Sequence, residues 1–186
     1  MKGGENVSKE ALVEGLLNHL CKKYDIDRSS FFLFTGEALP NLVSVDGKKA
    51  LGFYIHLTRT MAIDVTSLET TERIRSTVFH EFRHLWQYKC FPEESEYWGT
   101  WTVKNRERMG EDSYLFSPLE LDANRFAKSG GRLDDDSIMT AVSTSRYPYR
   151  ELSQAQDLAA RIAAESASLV RPEVLIYLVE HGFPVK

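Results

Sequence analysis

Apolar positions recur at helical steps near the start of the chain, cluster densely in the middle of its first half, and return to helical steps from about residue 71. Residues 8 to 23 predict an amphipathic helix. Ser8 is placed to cap it, and Ala11, Leu12, Leu16 and Leu20 make a stripe at three- and four-residue spacing. Phe31 to Phe34 is a short apolar run that stops at Thr35-Gly36, which predicts a strand. Val43-Ser44-Val45 followed by Asp46-Gly47 predicts a turn with a strand on at least one side. Leu51 to Leu57 and Thr60 to Val65 are rich in aromatic and β-branched residues, and predict two strands able to pair as a hairpin.

From about Thr71 to Tyr88 the period changes. Ile74, Val78, Phe82, Leu85 and Trp86 recur every three or four residues, the pattern of a buried helix face. Residues 89 to 116 show no clear period, although they carry Tyr97, Trp98, Trp101 and Tyr114. Ser117-Pro118 predicts a helix start, because serine caps and proline suits the first helical position. That helix should run to Lys128 and stop at Gly130-Gly131. Asp134 to Asp136 read as a solvated turn, residues 153 to 169 as an alanine-rich helix, and residues 172 to 181 as a short helix closed by Gly182. A small sheet followed by helices is an α+β layout, expected to form one domain over residues 1 to 186.

Bulk composition narrows the function classes. The 186 residues are 42% hydrophobic and 27% charged, ordinary values for a globular chain with a core. A net charge of −4 argues against a general nucleic-acid binder or a protein of anionic membranes. No stretch approaches the ~18 apolar residues of a membrane span. The first residues, MKGGENVSKEALVEGLL, lack the apolar run of a signal peptide. Cys21 and Cys90 are the only cysteines and read as two reduced thiols. A cytoplasmic protein is therefore expected.

Five histidines are few, and two of them stand in His80-Glu81-Phe82-Arg83-His84, an H-E-x-x-H pattern inside a predicted helix. Positions i and i+4 share a helix face, so both imidazoles can reach one ion at the 2.0–2.1 Å typical of a zinc–nitrogen bond. Glu81 lies about 100° around the helix from His80, beside such an ion rather than on it. There its carboxylate can take a proton from a metal-bound water. Phe82, Val78 and Leu85 fall on a different face from the two histidines.

Hydrolytic zinc sites use three protein ligands and leave a fourth position open. The residues after His84, LWQYKCFPEES, hold no third histidine, so the third ligand must come from elsewhere. Glu120 is the leading candidate. It lies four residues before Asn124, which could accept a hydrogen bond from the far nitrogen of a ligating imidazole. Three alternatives stay open. Ser117-x-x-Glu120 can be a capping box, in which Glu120 merely caps its own helix. Asp122, about 200° around the helix from Glu120, can be the ligand instead. Cys90, six residues after His84, can offer a thiolate.

These residues resemble a family. H-E-x-x-H at residues 80–84, followed by Glu120-Leu-Asp-Ala-Asn124-Arg-Phe-Ala127, is similar to the gluzincin metallopeptidases, and among them to the compact ImmA/IrrE-like proteins. The match spans roughly residues 50 to 128. Phe82-Arg83 fills the middle of the motif, where smaller members often have H-E-L-G-H, and Lys128-Ser-Gly-Gly131 replaces a leucine-rich continuation. The resemblance implies His80, His84 and Glu120 as zinc ligands and Glu81 as general base. It implies a zincin-like fold, in which a small antiparallel or mixed sheet packs on an active-site helix and a glutamate helix. Residues 51 to 65 would supply an edge strand that holds an extended peptide.

Zinc-dependent hydrolysis of a peptide bond in a protein substrate is thus the expected activity. The alternative is a catalytically silent zincin-fold protein that recognises a protein partner through the same cleft. An intact Glu81 favours the enzyme. Arg73 and Arg83 lie near the histidine face and can hold a carboxylate there, though such arginines are more often solvated. Tyr97 or Tyr114 could donate to an oxyanion.

Overall fold

A computed structural model describes residues 7–36, 50–110, 112–115 and 117–132. The predicted turn at Asp46-Gly47, Asp134 to Asp136, and the helices expected at 153–169 and 172–181 lie outside these residues. The chain clusters into two compact units, Met1–Trp86 with Phe126–Gly131 and Gln87–Arg125 with Arg132–Lys186.

In the first unit, helix α1 (Lys9–Lys23) begins at Ser8, whose hydroxyl accepts from the Ala11 amide at 3.1 Å. Glu10 in its first turn and Lys22 and Lys23 in its last complement the helix dipole. Its buried stripe is Val13, Leu17, Leu20 and Cys21, rotated one position from the Leu12–Leu16 line that spacing suggested. Both lines have helical period, and only the packing partner decides which one is covered.

Strands β1 (Phe32–Thr35), β2 (Gly52–Ile55) and β3 (Thr60–Ile63) form a mixed sheet of order β1-β3-β2. The expected hairpin is present, with β2 antiparallel to β3 and Gly52 opposite Ile63. Its turn closes through the Arg59 amide on the His56 carbonyl at 3.1 Å, with Arg59 at φ 50°. β1 pairs parallel to β3, Phe32 opposite Thr60. The central strand buries Met61, Ala62 and Ile63 in succession, so both its faces are covered.

Helix α2 (Thr71–Cys90) starts where the Thr70 hydroxyl accepts from the Arg73 amide. Ile74, Val78, Phe79, Phe82 and Leu85 are buried along it. Phe82 and Phe79 pack against Phe126, with ring centroids 6.4 and 6.2 Å apart, and Tyr24 meets both Phe82 and Phe126 at 5.7 Å. Burial of each such ring contributes roughly 1.5–3 kcal/mol. Gly131, at φ 75°, turns the chain back so that its carbonyl accepts from Lys23 Nζ and the Tyr24 hydroxyl.

In the second unit, residues 89–116 are largely helical although their sequence shows no clear period. Helix α3 (Pro92–Met109) and the single turn α4 (Asp112–Leu115) occupy most of that stretch. Pro92 at the first helical position and Glu93-Glu94 in the first turn are start signals that the apolar pattern masked. Among its described side chains the buried ones are Ser95 and Trp98, too few apolar anchors to show as a period. Helix α5 (Pro118–Lys128) has the predicted bounds. Among the described residues, no helix is long and apolar enough to cross a membrane.

Candidate metal centre

One stretch of α2 is buried all round, polar side included. From Glu81 to Leu85 every residue is buried: Glu81 is 6% exposed, Arg83 1% and His84 9%. Buried polar side chains are more informative than exposed apolar ones, because each must find a partner to offset its lost hydration. The same holds at the start of α5, where Ser117 to Ala123 are all buried, among them Glu120 and Asp122.

Both helices cross from one unit to the other, and contacts inside each unit join them. Phe79, Phe82 and Arg83 meet Phe126 in the first. In the second, the Gln87 side-chain amide donates to the Leu119 carbonyl at 2.9 Å and to Asp122 Oδ2 at 2.8 Å.

His80 and His84 lie one helical turn apart, with Nε2 atoms separated by 3.1 Å. A ligand atom of each and a carboxylate oxygen of Glu120 all lie within 4.8 Å of one another, the arrangement of a group able to hold a metal ion. Two ligands of a tetrahedral zinc ion stand about 3.3 Å apart, given bonds of about 2.0–2.1 Å. The imidazole pair is already at that spacing. Two imidazole nitrogens and one carboxylate oxygen are a donor set suited to zinc with a fourth position open. The residues therefore fit the ion.

The alternatives to Glu120 separate on geometry. Asp122 is fully buried but accepts from Gln87, and Cys90 is exposed at the end of α2; neither belongs to the three-residue group. The capping box is not made from its serine side, since Ser117 Oγ is buried and has no hydrogen-bond partner among the described residues. One expectation is overturned. Asn124 is exposed, so it does not back an imidazole. It shares a helical face with Glu120, but one turn further along the axis the all-round cover of α5 has ended.

Arg83 is not a surface arginine either. Its guanidinium stacks over Trp86 at 3.7 Å and over Phe126 at 4.9 Å, where a buried cation–π contact can be worth about 2 kcal/mol. Arg73, Tyr97 and Tyr114 are exposed.

Glu81 packs against the sheet: its Cγ and Oε1 lie beside Gly52 of β2. Neither Gly52 nor Gln87 stood out in the sequence, because a lone glycine in a strand and a glutamine in a helix carry no spacing signal. Tyr54, two residues along β2, is half-buried and on the Gly52 face. Burial pushes its hydroxyl pKa upward, partly offset by the Arg59 charge, so it remains an O–H donor at neutral pH.

The Gln87–Asp122 bond gives a prediction. Asp122→Ala should cost about 1–3 kcal/mol of stability by leaving the buried Gln87 amide short of an acceptor, while zinc per chain stays at the wild-type value. Denaturant unfolding with metal analysis checks this; loss of zinc from a folded variant would make Asp122 the ligand.

Neither a family model, nor a curated protein, nor a solved structure matches this chain.

Proposed function

We propose that this protein is a zinc-dependent metallopeptidase of the gluzincin kind, an endopeptidase acting on an extended segment of a protein substrate. The observation that carries this is the meeting of His80, His84 and Glu120 within 4.8 Å, with a second buried carboxylate, Glu81, adjacent to His80 in the chain. His80, His84 and Glu120 would hold the ion. Zinc supplies Lewis acidity, polarising the scissile carbonyl and lowering the pKa of water. Glu81 accepts the proton of the attacking water on its carboxylate and passes it to the leaving amine nitrogen as the C–N bond breaks.

The sheet suits an extended substrate. Among the described residues, β2 pairs only with β3. The Asp64 amide donates to the Leu51 carbonyl, so by antiparallel alternation the main-chain groups of Gly52 and Tyr54 point away from β3. Those groups can pair with a peptide laid alongside. Cys21 and Cys90 form no disulfide, which suits a reducing compartment such as the cytoplasm.

The test is metal analysis joined to a cleavage assay. Protein purified with zinc should carry one ion per chain and cut an unstructured polypeptide, with cutting lost on chelation and restored by zinc. A folded protein that takes up no zinc would sink the proposal.

A further inference from the structure

At one point β2 and α2 approach so closely that a side chain has no room. A Cβ on Gly52 would lie 2.7 Å from Cγ2 of Thr77, 3.0 Å from Cγ of Glu81 and 3.1 Å from Oε1 of Glu81. Carbon atoms in favourable contact sit about 3.5–4.0 Å apart, so something would have to move. The two neighbours differ in how easily they give way. Thr77 is β-branched and on a helix, which leaves its methyl group few rotamers. Glu81 has several soft torsions and would be the side chain displaced.

We propose that Gly52 is a positioning residue for Glu81. Its bare backbone lets the carboxylate lie against the edge strand, which holds the proton acceptor in one place beside His80. This rests on Glu81 being the general base, as proposed above. Thr77, one turn before Glu81 on α2, closes the other side of the same contact.

The experiment compares Gly52→Ala, Thr77→Ala, Glu81→Ala and Glu81→Gln, alone and in pairs with Gly52→Ala, by thermal unfolding of metal-free protein. For the zinc-loaded protein, kcat, KM and metal content are measured. Gly52→Ala should lower the thermal midpoint by several degrees and kcat by about 10- to 100-fold, the scale set by displacing a catalytic group by up to an ångström. KM and zinc per chain should stay within about twofold, because a bound peptide would meet only the main chain of Gly52 and the new methyl group faces Thr77 and Glu81, not the metal ligands. Adding Thr77→Ala removes the shortest contact and should restore most of the midpoint but not kcat, since the new Cβ still meets Glu81. With Glu81→Gln in place, Gly52→Ala should lower the residual rate no further, as expected of residues acting as one unit.

An unchanged kcat in Gly52→Ala overturns the inference. So does recovery of kcat together with the midpoint in the Gly52→Ala, Thr77→Ala pair, which would make Gly52 a packing residue only. The metal-free midpoints stand apart from the peptidase proposal. Glu81→Ala should recover part of the loss caused by Gly52→Ala, and no recovery there overturns the Gly52–Glu81 contact even if the protein proves not to be an enzyme.

Discussion

Replacing Glu81 by glutamine is expected to slow peptide cleavage by about 10²–10⁴-fold, with zinc content and thermal midpoint at wild-type values. Glutamine has the same number of heavy atoms as glutamate, so it fits the space against Gly52 and Thr77. Its amide cannot accept the proton of the attacking water, and nothing else about the variant need change. Glu81 is only 6% exposed, so bulk solvent is a poor substitute for the missing base. Rates on an unstructured polypeptide, measured beside metal analysis, decide the matter. A Glu81→Gln protein that cuts at the wild-type rate would remove Glu81 from the chemistry. If neither protein cuts while both hold zinc and a partner, the cleft is a recognition surface.

Glu120→Ala should lower zinc affinity by more than the 10–100-fold that loss of a supporting residue around a metal typically costs. Glu120 is the only carboxylate among the described residues grouped with the two histidines. Without it, two imidazoles 3.1 Å apart remain, and a hydrolytic zinc site needs three protein ligands. Alanine also leaves a void at a buried position, so folding must be read independently. Circular dichroism with a competitive chelator titration separates the two effects. Glu120→Gln, which keeps the volume and loses the charge, should show the same weakening with the fold intact. Wild-type affinity in that variant would transfer the third-ligand role to another group.

The two helices that carry the centre differ in how they became legible. Helix α2 announces itself through Ile74, Val78, Phe82 and Leu85, and α5 through Ser117-Pro118 and Gly130-Gly131. Both signals are local, written in residues within a few turns of one another. Helix α3 shows no period because few of its described apolar side chains are buried, and periodicity reports only what is apolar. Its proline and acidic first turn were the available sign.

What the sequence by itself determined is the part of the site that one helix builds. Spacing of four puts His80 and His84 on one face wherever α2 lies, and places Glu81 beside them, because helical geometry is set by the backbone. The hairpin of β2 and β3 was likewise readable from a short span. Tertiary structure alone decided the remainder. Glu120 is grouped with the two histidines, while Asp122 accepts from Gln87. Asn124 lies outside because the cover of α5 ends before it, and Gly52 faces Glu81 because the sheet presses against α2. These depend on contacts between residues tens of positions apart, and the packing that selects among equally periodic faces leaves no trace in the spacing of either partner.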